Sequence, residues 1–421
     1  MIFSKKCFLL CTVIFLFVLL SGCGSVEPVN EADQYISVIE EIDIPDDVKV
    51  IGLGEATHGN VEFQELKKDV FERLIKNENV RVFILEGDFG GGQQINQFIL
   101  NGNGTVEDAV NALDYDIYKT EQMISLVQWM HDYNVTANEN EKVYFYGNDM
   151  QRYDFNKKGV LDYFEVVNSN AKEKYGDQLK HVSNDTMREL TTKQLEEINH
   201  SIDTIISDMQ ANEGTYVKHS SHDAFSFALQ HAQIMRQRTQ LFLNEGNYTK
   251  LRDRYLADNL QWIVEFEEAH GHDKVFVSGH NGHIEKTSAS LTGYKSMGNY
   301  LDEFYGSEYF AIGTDLINSE FQALNRSSAE RQIHNIENHN DLVAVFNEVG
   351  PNVFYIGFDK ASESEELLEI ISNDQKMVNI GDDFRPWYKL LKMFYTIKMV
   401  PKHAYDGIII IKEATPTTVM E

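Results

Sequence analysis

Two short stretches of this 421-residue chain combine residue types that move protons with glycines that let a backbone turn around them. Gly54-Glu55-Ala56-Thr57-His58-Gly59 and Ser278-Gly279-His280-Asn281-Gly282-His283 each follow a short apolar run that reads as a buried strand. An imidazole held by a carboxylate can accept a proton from water near neutral pH, so Glu55 and His58, three apart, are a candidate general-base pair. That spacing alone is weak. Glu86 ends the apolar run at 82–85, where a carboxylate needs a partner or a task; a helix cap or a buried ion pair would also satisfy it. Asp149, in Gly147-Asn148-Asp149-Met150-Gln151, has the same strand-end position and the same ambiguity. His270 and His272 precede a strand-like run instead of following it, and are expected at the opposite end of the sheet, outside the site.

Lys67 falls inside the apolar stripe Phe63, Leu66, Val70, Phe71, Leu74 of a predicted helix over 61–75. From there its ammonium either snorkels outward or reaches the strand ends. Glu62, one turn after His58, is expected to fix His58 or Lys67 or to be solvated. Several mechanisms lack their signatures: there is no Gly-x-Ser-x-Gly elbow, no third glycine after Gly52-x-Gly54, and no Walker loop. A hydrolase here must activate water, with His and Glu alone or with a metal that imidazole and carboxylate suit.

Such residues need a sheet to gather them. Apolar runs recur at 48–53, 80–85, 142–146, 274–277, 309–312, 352–356 and 407–411. They are nearly continuous rather than alternating, as in parallel strands buried on both faces. Amphipathic helical patterns such as 61–75 and 120–133 lie between them, which predicts an α/β fold with a mainly parallel sheet. Residues 155–272 break the rhythm with long polar helical patterns and no strand. The chain therefore divides into a first α/β half at 46–154, a helical insertion at 155–272 and a second half at 273–421, with the insertion expected to wall the site. Loops following the strands at 48–53, 80–85 and 274–277 would meet at the carboxyl edge of one sheet, where α/β proteins place their chemistry.

The start of the chain reads as a leader. Lys5 and Lys6 precede an apolar stretch over 7–20 that is short for a membrane span and laid out like a secretory signal. Leu20-Ser21-Gly22-Cys23 resembles the lipobox of bacterial lipoproteins, which implies cleavage after residue 22, lipidation of Cys23 and anchoring on the outer face of the cell membrane. Residues 23–45 would form the tether and a first helix near 31–41. Cys7 and Cys11 leave with the leader, so no disulfide and no thiol nucleophile remains. The formal charge of −29 becomes −31 without the two lysines, a balance that repels nucleic acid.

Taken together, Gly54-Glu55-x-x-His58-Gly59, Glu62-Phe63, Leu66-Lys67, Glu86, Gly147-x-Asp149-x-Gln151, Gly279-His280-Asn281-x-His283 and Tyr405-Asp406-Gly407-Ile408-Ile409 resemble the erythromycin esterase family, in order from about residue 46 to 416. The resemblance implies a cofactor-free, metal-independent esterase that opens a macrolide lactone or related small-molecule ester. His58 would be the general base, with Glu55, Glu86, His280 and His283 completing the pocket. Lys67, Asp149 and Asn281 are expected to bind substrate. The oxyanion would be met by the second histidine, by Lys67 or by glycine-rich backbone. A surface lipoprotein that merely binds a ligand has no special need for that His/Glu combination.

Overall fold

The computed structural model describes residues 29–289 and 293–420. The leader and Cys23 lie outside the described residues. All seven apolar runs become strands of one sheet: β1 Val50–Glu55, β2 Val82–Asp88, β3 Tyr144–Asp149, β4 Val275–His280, β5 Tyr309–Asn325, β7 Val353–Gly357 and β10 Gly407–Ala414. They lie in the order β3-β2-β4-β1-β5-β10-β7, and β6 (Glu330–Glu337) pairs with the far half of β5. Every pair from β3 to β10 is parallel, while β7 and β6 run antiparallel to their neighbours. A separate hairpin joins β8 (Gln375–Val378) to β9 (Thr396–Met399).

Continuous apolar runs arise because both faces of the sheet are covered. Along β10, Ile409 and Ile411 pack into one core and Ile408 and Ile410 into the other, the period of two expected of a strand. The first face takes the stripe of α1 (Val61–Glu78), with Val70, Phe71 and Leu74 buried, together with α2 (Phe89–Asn101), α3 (Val106–Asn111) and α4 (Glu121–Thr136). Helix α1 stops where Asn79 turns left-handed and its N–H returns to the Leu74 carbonyl.

The polar middle is helical, with no strand between Asp149 and Val275 among the described residues. It comprises α5 (Asp154–Val167), α6 (Ser169–Gln178), α7 (Thr192–His219), α8 (His222–Leu243) and α9 (Tyr248–Glu268). The helices α5 to α8 share a core around Phe164, Ile202, Ile205 and Met209. Helix α9 instead returns to the sheet, burying Leu256, Leu260 and Ile263 against Val50, Val82 and Val277. That return carries its first turn to the strand ends.

Three local expectations differ. The helix near 31–41 is replaced by two 3-10 turns, Ala32–Tyr35 and Ile39–Glu41, between which Ser37 exchanges both backbone hydrogen bonds with Tyr355 on the free edge of β7. Extended pairing there satisfies an edge that a helix would leave open. Strand β5 runs well beyond residue 312. Its partner β6 escaped the search for apolar runs because its residues alternate buried His334 and Ile336 with exposed neighbours.

Candidate active site

Four neighbouring strands end in the singled-out residues. Register places Glu55 of β1 beside His280 of β4, and Leu85 of β2 beside Ser278, so Glu86 lies one step along on the other side of β4; Asp149 ends β3. The order Asp149, Glu86, His280, Glu55 across the sheet edge follows from strand order alone.

The turn after β1 holds a three-membered relay. His58 Nδ1 lies 2.6 Å from Glu55 Oε1, and Lys67 Nζ donates to Glu55 Oε2 at 2.5 Å and to Gln64 Oε1 at 3.0 Å. A carboxylate only accepts, so the His58 proton sits on Nδ1, and Nε2 has no protein partner among the described residues. Burial works against the ionised Glu55, but the Lys67 and His58 charges outweigh it and hold the carboxyl down at about 2. Burial likewise favours neutral His58, yet the carboxylates of Glu55 and Glu86 prevail and push it above its ordinary value of 6.5.

The second relay crosses from β2 to α9. Glu86 Oε2 accepts the His280 N–H at 2.8 Å, and its Oε1 accepts Arg252 Nη2 at 2.7 Å and lies 3.3 Å from His283 Nε2. Despite burial, those cations hold Glu86 far below the usual carboxylate range. Arg252 also forks onto Asp149, with Nη2 to Oδ2 at 2.6 Å and Nε to Oδ2 at 3.2 Å. His283 Nδ1 lies 2.6 Å from Asp253 Oδ1. Its Nε2 faces both Glu86 and Arg252 Nη1, the latter 3.1 Å away. Burial favours the neutral ring and the guanidinium adds to that, but Asp253 and Glu86 dominate and push His283 up to about 9.

His280 behaves oppositely. Burial, reinforced by the neighbouring His58 and His283, drives it down to about 3, so it is neutral at physiological pH. Its Nε2 lies 3.1 Å from the Ile380 carbonyl, an acceptor only, which fixes the proton on that nitrogen. The His58 and His280 ring centroids are 5.1 Å apart. A side chain at Gly54 would put its Cβ 2.1 Å from Asn281 Oδ1, and one at Gly279 would press at 3.0 Å on Glu86 Oε2.

His58, Glu86, Arg252, His280 and His283 line one cavity of about 860 Å3. Asn184, Asp185, Met187 and Arg188 of the helical insertion form part of its wall, as expected. Five of the chain's eleven arginines line it, Arg152, Arg188, Arg252, Arg326 and Arg331, and no lysine does. His270 and His272 line a different cavity of about 480 Å3, at the amino edge of the sheet with Glu78 and Lys274. Among the described residues no three His, Cys, Asp or Glu side chains converge as metal ligands.

Lys67, Asp149 and Asn281 do not reach the cavity, and their expected contact with substrate is corrected. Lys67 is only 1% exposed and is spent on Glu55 and Gln64. Asp149 is fully buried behind Arg252. Asn281 clamps β5, donating to the Thr314 carbonyl and accepting its N–H. Glu62 bonds Thr415 rather than His58 or Lys67. Glu55, 2% exposed, is absent from the cavity lining and touches the lining residue His58. Sequence reasoning missed Arg252 and Asp253, which sit among other charged residues at the start of a polar helix and look there like a solvated face.

The profile of the family described as erythromycin esterase matches residues 75–414, most of the chain, with Glu55, His58 and Lys67 lying just upstream. The chain belongs to the erythromycin esterase family. It is 26% identical over 293 residues to an Escherichia coli erythromycin esterase type II, covering 63% of this chain and 68% of that protein. The fold matches a Bacillus cereus protein with TM-score 0.77 at 24% identity, covering 89% of this chain and 91% of that one. It also matches a histidine-to-asparagine mutant of the erythromycin esterase EreC in its open conformation, with TM-score 0.65 at 14% identity over 89% of this chain and 93% of that one. A structure described as a succinoglycan biosynthesis protein aligns with TM-score 0.75 at 20% identity over 92% and 97% of the two chains. Family membership supports a hydrolase.

Proposed function

We propose that this protein hydrolyses a carboxylic ester, a macrolide lactone or a related small-molecule ester, by attack of a water molecule that His58 deprotonates. The observation that carries the reading is the buried Lys67–Glu55–His58 relay, which leaves His58 Nε2 as the free base at a cavity whose cations include Arg252 and His283. In the reaction Nε2 takes a proton from water as the water oxygen bonds to the carbonyl carbon. Charge developing on the carbonyl oxygen is met by Arg252 or His283 rather than by Lys67, and a single decisive donor of this kind contributes about 3–4 kcal/mol. Breaking of the acyl C–O bond then returns the proton from His58 to the departing alcohol, leaving acid and alcohol. His280, neutral and tied to the Ile380 carbonyl, shapes the floor beside His58.

Screening purified protein from residue 24 onward against simple esters and a macrolide, with acid release as the readout, tests this. Hydrolysis that survives a chelator is expected; no hydrolysis of any ester, or loss on chelation with recovery on adding zinc, contradicts it. Attachment to the outer membrane face through Cys23 is part of the same proposal. It predicts that Cys23→Ala releases the protein from membranes, and a mature N-terminus elsewhere without lipid overturns it.

A further inference from the structure

His280 and His283 line a second cavity as well, of about 400 Å3, whose other walls include Tyr294, Met393, Phe394, Thr396 and Ile397. The two cavities therefore meet at the histidines of the candidate centre, and their walls differ in kind. The larger is built of arginines and aspartates such as Arg188, Arg326, Asp185 and Asp383. The smaller adds Met393, Phe394, Tyr294 and Ile397 to Thr249, Asn379, Thr396 and the two histidines, and has no lysine, arginine or carboxylate among its lining.

The segment that supplies Met393 and Phe394 is unusual for this chain. Five of the nine large apolar side chains that are exposed among the described residues, Trp387, Leu390, Leu391, Met393 and Phe394, fall within residues 387–394. Clustered exposed apolar surface marks a binding site, unlike scattered single residues. The residue that follows the segment is linked to the centre through 379–380: the Asn379 N–H donates to the Tyr395 carbonyl at 2.9 Å, and the neighbouring Ile380 carbonyl accepts from His280. An apolar chain entering the larger cavity would strip water from many charged groups without replacing their hydrogen bonds. The smaller cavity imposes less of that cost, because His283 is the one charged side chain in its lining.

Resting on the ester-hydrolase reading, we propose that the cavity lined by Met393 and Phe394 beside His280 and His283 is an acyl-chain subsite. The substrate is then an ester joining a polar alcohol, held in the arginine-lined cavity, to an aliphatic acid of intermediate length whose carbonyl lies between the two, beside His58 and His280. Each methylene buried there raises kcat/KM up to about fourfold. Trp387 reports on the site without catalysis, since its ring packs 4.8 Å from that of Phe394.

The test is a series of 4-nitrophenyl esters from acetate to octanoate, alongside tryptophan fluorescence titration with hexanoate. The wild-type protein should favour hexanoate over acetate by at least tenfold in kcat/KM, and Met393→Trp, which puts a bulkier side chain in the cavity wall, should reduce that preference. Hexanoate should change the fluorescence saturably, with the change lost in Trp387→Phe and weakened in Phe394→Ala; circular dichroism verifies that each variant is folded. Ester hydrolysis with a flat chain-length profile, or a profile unmoved by Met393→Trp, overturns the subsite and leaves the hydrolase standing. If no ester is cleaved the hydrolase reading fails, and the titration then decides the cavity separately: no saturable response to hexanoate overturns it too.

Discussion

Replacing Lys67 by methionine removes the ammonium that neutralises Glu55 while roughly preserving the volume of a side chain that is 1% exposed. Glu55 is held from its ordinary 4.5 down to about 2 against the effect of burial, and the Lys67 charge is the largest single contribution that lowers it. At about 1.4 kcal/mol per unit that depression corresponds to roughly 3 kcal/mol, similar to the roughly 3–5 kcal/mol cost of breaking a buried ion pair. Urea unfolding at pH 7 should therefore show Lys67→Met less stable by about 3 kcal/mol with an unchanged m value. A depressed carboxyl stabilises the fold above its unfolded pKa and loses that contribution as pH falls through its folded one. The difference between variant and wild type should accordingly shrink between about pH 4.5 and 2. Adding Glu55→Gln to Lys67→Met removes the uncompensated charge and should recover part of the stability, although activity stays low because His58 lacks its carboxylate. A Lys67→Met protein as stable as wild type, or a double variant no more stable than the single one, would refute the argument that Lys67 is the counterion of Glu55.

A general base works deprotonated, and His58 is pushed above 6.5 by its carboxylates, so kcat/KM should rise with pH to a midpoint above 6.5. Glu55→Gln should lower that midpoint, and an unshifted profile would place the titration elsewhere. His283, pushed up to about 9, should stay cationic across this range, and His283→Gln should cut kcat by about 10²-fold or more if it supports the oxyanion. His272→Ala, at the opposite edge of the sheet, should change kcat less than twofold, and a large effect would question the location of the site.

The strand ends were legible because parallel strands buried on both faces leave unbroken apolar runs, and the residue just after each run must lie at the carboxyl edge. Glu55, Glu86 and His280 could be placed that way with no knowledge of strand order. Lys67 was visible as a lysine in an apolar stripe, but its direction was not. Snorkelling and inward pairing share one pattern, and the choice depends on Glu55 lying across the helix. Asp149 and Asn281 occupy strand-end positions like those of the cavity residues. They are buried because Arg252 and Thr314 bond them, partners distant in sequence. Arg252 and Asp253 come from the last helix of the insertion, whose charge pattern resembles a solvated face until the helix packs on the sheet. The turn at Ser37 and the strand at 330–337 were hidden for a related reason: each is fixed by the edge it pairs with more than by its own apolar content.

The most direct test of the account is the rate of ester hydrolysis by His58→Ala beside wild type, on an ester the wild type cleaves, with circular dichroism verifying the fold. Loss of general-base catalysis should lower kcat by about 10²–10⁴-fold, because no cysteine lies among the described residues and the sequence has no elbow serine to stand in for the imidazole. A His58→Ala protein that turns over at the wild-type rate would contradict the assignment of the base and, with it, the proposed mechanism.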